Sequence, residues 1–320
     1  MKDFGGKLAV ITGGGTGMGR ELARQLIAEG CDVAICDVIV ENMEETRLLC
    51  EAEAPQGRVI STFQCDVSNE EEVQAWRKHV ESVHGSQHIN LLFNNAGVGG
   101  GGSMVGDPRE AWERTFNICW YGVYNCTRVF MPMLVASDEG HLINTSSVNG
   151  FWATLGPQSA HSAYSAAKFA VKGFSEALIT DFRNNAPHLK VSVVMPGHIG
   201  TSIAINSGKI LGSEPDHLSH EQLDLIRTRM ESRGIPTADF SNDQLVDAIK
   251  QQGIAFRDNA PLTAAQAATI ILDGVKAERW RILVGDDAQH LDAFVRETPE
   301  EAYEESFMVR LRESAGWGLG

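Results

Sequence analysis

The chain has 320 residues, 43% hydrophobic and 22% charged, which is enough apolar material for one large core and unlike a disordered composition. Acids outnumber bases by 42 to 27, and the formal net charge of −15 excludes a broad phosphate-neutralising surface, so nucleic acid is not an expected partner. No window reaches the roughly 18 to 20 uninterrupted apolar residues that a membrane span needs. Residues 1–4 lead into a strand pattern without a signal-peptide core, so no membrane contact and a cytoplasmic location are expected. The cysteines Cys31, Cys36, Cys50, Cys65, Cys119 and Cys126 never form Cys-x-x-Cys and read as reduced core residues. His217 and His220 have no companion ligands at zinc-like spacing, and no metal site is expected.

Residues 7–12 are a short apolar run ended by a glycine cluster, the pattern of a buried parallel strand. Over 18–29, Leu22, Ala23, Leu26 and Ile27 recur at helical spacing, with Gly30 as the stop. Strands over 33–36 and 59–65 flank a helix over 41–54, and Ser68 with Glu71 reads as the capping pair of the next helix. A strand over 89–93 follows, then one long helix over 109–135, a strand over 141–145, a helix over 163–182 and a strand over 189–195. Such alternation predicts an α/β fold, a Rossmann-type doubly wound parallel sheet covered by helices on both faces, because parallel neighbours need a right-handed helical crossover. With no repeat or low-complexity linker, residues 1–320 read as a single domain.

The order breaks between residues 200 and 261, a polar insertion in which Ser219 with Gln222 and Ser241 with Gln244 look like capping boxes of two helices ended by Gly234 and Gly253. Thr263 with Gln266 then opens a helix through Val275, residues 281–284 make a last strand, and 300–311 form a terminal helix within a carboxy-terminal extension over 297–320. The glycine-rich tail from Gly316 is expected to fray.

Between the first strand and its helix, Gly13, Thr16, Gly17, Met18 and Gly19 belong to a loop that permits a tight turn and close backbone approach to a ligand, with a helix N-terminus that favours pyrophosphate. Twenty residues beyond Gly17, Asp37 ends the second strand, where a carboxylate accepts hydrogen bonds from both hydroxyls of an adenosine ribose and repels a 2′-phosphate. Val38 and Ile39 offer no cation for such a phosphate, so NAD is the expected cofactor. Tyr164 and Lys168 are four apart on a predicted helix and share a face, where an ammonium favours the phenolate and lets the phenol exchange a proton with an alcohol or ketone.

Five motifs in order make the stretch from Lys7 to about Thr201 resemble the short-chain dehydrogenase/reductase family. They are Thr12-Gly13-x-x-x-Gly17-x-Gly19, Asp66-Val67, Asn94-Asn95-Ala96-Gly97, Ser147 followed by Tyr164-Ser165-Ala166-Ala167-Lys168, and Pro196-Gly197-His198-Ile199-Gly200-Thr201. The resemblance implies Tyr164 as acid/base, Lys168 as its electrostatic partner and ribose ligand, Ser147 as the donor to the substrate oxygen, and Asn117 as the fourth catalytic member, with Asn125 the competing choice. It further implies that Asp66 and Val67 contact adenine, that Asn95 and Ala96 lie along the cofactor, and that Ile199 and Thr201 touch the nicotinamide amide. Asn94 and Asn95 read equally well as braces between strands. The stretch from Ser147 to Tyr164, with Trp152, Pro157 and His161 in it, is about four residues longer than the family's common spacing.

By the same resemblance, residues 200–261 form a helical lid over the substrate, and the long helices pair with those of other copies in a homodimer or homotetramer. Val148, Asn149, Phe151, Trp152, His161 and His198 are a mixed aromatic and polar set without a cationic clamp, suited to a small-molecule aryl or alicyclic alcohol or ketone. Lys209 and Arg227 are the bases that keep an anionic substrate open. The opening four residues and the long carboxy-terminal region look similar to bacterial dehydrogenases that oxidise benzylic secondary alcohols of lignin-derived aryl ethers. The expected activity is NAD-dependent hydride transfer at a secondary alcohol or ketone. A catalytically silent NAD-binding regulator and an NADP-dependent ketoreductase are the alternatives.

Overall fold

A computed structural model describes residues 1–100, 102–156, 160–232, 236–237 and 239–315; Pro157, Gly234 and the tail from Gly316 lie outside the described residues. The chain begins with β1 (Leu8–Thr12), α1 (Gly17–Ala28), β2 (Asp32–Asp37), α2 (Val40–Glu53), β3 (Ile60–Gln64), α3 (Glu70–His84) and β4 (Leu91–Asn94). There follow α4 (Arg109–Phe116), a π turn (Asn117–Tyr121), α5 (Gly122–Val135), β5 (Gly140–Thr145), α6 (Ser162–Asn185) and β6 (Leu189–Pro196). These strands and β9 (Arg281–Val284) form one seven-stranded parallel sheet in the order β3-β2-β1-β4-β5-β6-β9. β1, β4 and β5 are buried along their whole length, as strands covered on both faces must be.

Each face has its own core. Leu22, Leu26 and Ile27 of α1 pack with Met43 and Cys50 of α2 and with Ala267 and Ile271 of α10 (Ala264–Lys276). On the other face Trp76 and Val80 of α3 meet Phe130 and Met133 of α5 and Leu178 and Phe182 of α6. The six cysteines are buried free thiols.

Several local readings change. Ser68 does not cap α3: its N–H and hydroxyl both bond Asp66 Oδ1, and the cap is Asn69, whose side chain accepts the Glu71 N–H. The expected long helix is interrupted by the π turn, where the Gly122 N–H reaches back to the Asn117 carbonyl. The insertion contains three helices, α7 (Ile203–Ile210), α8 (His220–Ser232) and α9 (Asn242–Asp258), and the short strands β7 (Ile199–Gly200) and β8 (Leu262–Thr263) pair at its base. Gly253 does not end a helix but lies inside α9, buried where a Cβ would stand 3.1 Å from Ile205 Cγ1 of α7. Beyond β9, α11 (Asp286–Glu297) was not anticipated, and Pro299 starts a 3₁₀ turn that delays the last helix to α12 (Glu305–Ala315).

The Trp76–Phe130 edge-to-face pair, at 5.1 Å between ring centres, is central to the second core. Phe130→Ala is expected to cost about 3–5 kcal/mol of stability, read as a lower midpoint in a denaturant melt.

Candidate active site

The strand order reverses between β1 and β4, and at such a switch point the two strand ends part to leave a crevice. Gly13, Thr16, Gly17 and Met18 line one wall and Asn95, Ala96 and Thr201 the other, with Asp37, Asp66 and Val67 along the open end. Gly13 has φ +64°, and a Cβ on it would come 2.8 Å from the Ala96 Cα, so the loop is shaped for glycine twice over. Gly19 is not part of the wall. It lies beneath, where a Cβ would fall on the Gly13 carbonyl oxygen, and so lets the first turn of α1 press onto the loop. The Thr16 side chain does not cap α1; its hydroxyl accepts a hydrogen bond from Asn206 Nδ2 of α7 at 3.1 Å, and the helix N-terminus faces the cleft. Backbone donors and a positive helix end without a basic side chain suit a pyrophosphate.

The two acidic residues of the cleft are held differently. Asp37 accepts the N–H groups of Gly15 at 3.0 Å and Ile39 at 3.1 Å, and burial nonetheless pushes its carboxyl above the ordinary range. Burial also pushes Asp66 up, but Ser68 and Arg114 outweigh it, and that carboxyl ends below its usual value with Arg114 Nη2 at 2.7 Å. Asp66 is thus committed to its neighbours, while the Asp37 oxygens accept one N–H each and have lone pairs to spare.

Behind Gly97 of the cleft wall, Lys168 lies one turn beyond Tyr164 on α6, with its Nζ 5.3 Å from the tyrosine ring centre and donating to the Thr145 carbonyl at 2.9 Å. Ser147, just past β5, is close enough to the Tyr164 hydroxyl to favour its ionised form. Burial pushes the Tyr164 phenol well up, Cys119 adds to that, and Ser147 opposes it. Burial pulls the Lys168 ammonium down. Both shifts follow from dryness, which penalises whichever form is charged. His161 stacks against Tyr164 with ring centres 4.7 Å apart, and burial lowers its pKa to about 4, so it is neutral at physiological pH.

The structure does not bring Asn117 into this group. Asn117 opens the π turn and is exposed, whereas Cys119 is buried there: a Cβ on Gly97 would lie 3.6 Å from Lys168 Nζ and 3.8 Å from Cys119 Sγ. A π turn carries more residues than an α turn and changes which side chain faces inward, which a 3.6-residue period does not foresee. Asn125 is buried but donates to the Val67 carbonyl at 3.1 Å, a brace for the Asp66 loop. Ser146 donates to the Lys168 carbonyl at 2.8 Å, and of the two serines it is Ser147 that acts on Tyr164. Asn94 is a brace, donating to Thr127 and Asn144, while Asn95 both lines the cleft and donates to the Thr12 and Gly13 carbonyls. Ile199 does not line the cleft; it is buried in the first core. Arg114, Ile118, Ile203, Asn206 and Ile210 do line it, yet the sequence does not single them out: α7 and the π turn carry no periodic or capping signal, and Arg114 of α4 reaches the cleft through its tertiary contact with Asp66.

The fold and this cleft define a nucleotide-binding oxidoreductase of the Rossmann class. The family model for short chain dehydrogenases matches residues 7–210, and the chain belongs to the short-chain dehydrogenase/reductase family, whose members depend on NAD or NADP. It is 31% identical to the SadH protein of Mycobacterium tuberculosis strain H37Rv over 92% of each chain. It is similar to a short-chain dehydrogenase/reductase from Burkholderia phymatum solved with NAD, at TM-score 0.72 and 28% identity, covering 94% of this chain and 96% of that one. A metagenomic short-chain oxidoreductase solved with NADP matches at TM-score 0.53 and 29% identity over 61% of this chain and 83% of that one. Among the described residues no helix is long and apolar enough to cross a membrane.

Because Gly19 supports the loop from below, Gly19→Val is expected to weaken NADH binding at least about tenfold in a fluorescence titration while circular dichroism stays unchanged.

Proposed function

We propose that the protein is an NAD-dependent dehydrogenase or reductase of secondary alcohols and ketones, probed best with aromatic and alicyclic ones. The observation that carries this reading is the buried Ser147–Tyr164–Lys168 cluster, whose Lys168 Nζ stands behind Gly97 in the wall of a cleft fitted to a dinucleotide. When bound, the nicotinamide dinucleotide supplies the carbon that takes up or gives back the hydride. The rest is work for this chain. In the oxidative direction Tyr164 Oη takes the alcohol proton and Ser147 Oγ donates to the same substrate oxygen; in the reductive direction the proton returns from Tyr164 to the carbonyl oxygen. The Lys168 ammonium favours the phenolate against the burial that opposes it. Cys119, and not Asn117, is the π-turn residue that stands beside Gly97 near Lys168.

Asp37 supports NAD. A 2′-phosphate would meet its carboxylate, and the guanidinium of Arg20, which reaches the loop, is already bonded to the Gly15 carbonyl at 2.7 Å and Glu45 at 2.6 Å. For the substrate, Tyr164 packs on an apolar cluster built around Val98, Ile118 and Ala167, on which Phe116, Trp120 and Leu211 also pack, surroundings that favour a hydrophobic ring system. Arg227 is tied to the Thr237 carbonyl and Asn242, which argues against an anionic clamp there. Helix α7 supports the lid reading, with Ile203, Asn206 and Ile210 over the cleft. Exposed Tyr121, Tyr124, Val135 and Phe169 on the outer sides of the π turn, α5 and α6 support pairing of these helices in a homodimer or homotetramer.

With NAD and a panel of benzylic, alicyclic and steroidal secondary alcohols, reduced-nicotinamide absorbance is expected to rise for the wild type. Tyr164→Phe is expected to bind NADH normally and to lose about 10²–10⁴-fold in kcat; a variant that still turns over would remove the acid/base role. Asp37→Ala is expected to lower the NAD-to-NADP ratio of kcat/KM by at least about tenfold, and an unchanged ratio would remove the ribose assignment.

A further inference from the structure

The loop that carries Ser147 is anchored at its far end by the carboxy-terminal segment. Ser147 Oγ accepts the Asn149 N–H at 3.1 Å, and the buried Asn149 amide donates to the carbonyls of Trp152 at 3.0 Å and Thr154 at 2.8 Å. Trp152 is fully buried and donates through Nε1 to the Ala302 carbonyl at 2.6 Å. Its ring lies 5.9 Å from that of Phe307 in α12, within an apolar cluster that includes Leu291 of α11 and Met308 and Leu311 of α12. Beside it the Ala153 N–H donates to Tyr303 Oη at 3.1 Å. Hydrogen bonds of Asn149 and Trp152 therefore link the turn before α12 to the hydroxyl of Ser147, the serine beside Tyr164.

We propose that Trp152, held by Ala302 and α12, is a positioning residue that fixes Ser147 on Tyr164, which makes the carboxy-terminal segment a working part of the active site. The proposal rests on the oxidoreductase reading above. A serine hydroxyl chooses among three staggered rotamers at little cost, so its aim depends on partners. Asn149 is that partner, and Asn149 is itself fixed by carbonyls of the loop that Trp152 pins. Displacement of the loop by about 1 Å is enough to cost about a hundredfold in rate. It would also take away the Ser147 contact that favours the Tyr164 phenolate, while Lys168 on α6, His161 just before it and Cys119 on the π turn keep their places.

The test uses an alcohol that the wild type oxidises. Trp152→Phe keeps an aromatic ring, though a smaller one, and removes the Nε1 donor. It is expected to lower kcat at least about tenfold, to leave NADH affinity within about twofold, and to move the acid limb of the kcat–pH profile to higher pH. In a Ser147→Ala background the same substitution is expected to have no further effect, because both act through one hydroxyl. Tyr303→Phe, which alters only an exposed side chain, is the second variant and is expected to show a smaller loss of the same kind. An unchanged kcat in Trp152→Phe, or an equal loss with and without Ser147, overturns the positioning role and leaves the oxidoreductase reading intact. A wild type that binds NADH and turns over no alcohol or ketone overturns both.

Discussion

One hydroxyl holds the crevice in shape. Thr12 Oγ1, at the end of β1, accepts the N–H groups of Asn95 and Ala96, each at 2.9 Å, and lies 3.4 Å from the Phe93 carbonyl that it donates to. A hydroxyl has one proton and two lone pairs, so all its capacity is used in joining β1 to the loop after β4. Those two strands are where the sheet reverses its order and where their loops would otherwise diverge. The glycine loop, the Asn95 side chain beneath it and Gly97 beside Lys168 all take their positions from this junction.

The sheet was legible because its strands are buried on both faces and leave continuous apolar runs, as in Leu8-Ala9-Val10-Ile11 and Leu91-Leu92-Phe93. The glycine loop and the Tyr164–Lys168 pair were legible because backbone approach and helical spacing constrain residue type locally. What escaped depends on tertiary contact. Gly253 looks like a stop until Ile205 is seen to cross it, and Ser68 looks like a cap until Asp66 is seen to have claimed its hydroxyl. The exchange of Asn117 for Cys119 has a similar origin, since a π turn is stabilised by its surroundings and leaves no period in the sequence.

The electrostatics differ between the cleft and the cluster behind it. In the cleft Asp66 stays ionised through Arg114 and Ser68, whereas Tyr164 and Lys168, beyond Gly97, are both pushed toward neutrality by burial. A charge beside those two meets little water to screen it, so a polar neighbour such as Ser147 carries more weight there than it would at the surface.

Helix α7 touches two walls at once. Asn206 bonds Thr16 of the glycine loop, and the Gly99 N–H, on the strand β4 side, donates to Ser207 Oγ at 2.7 Å. A single turn of α7 is therefore tied to the loops on both sides of the switch point, so the helix cannot shift against one wall without straining its bond to the other.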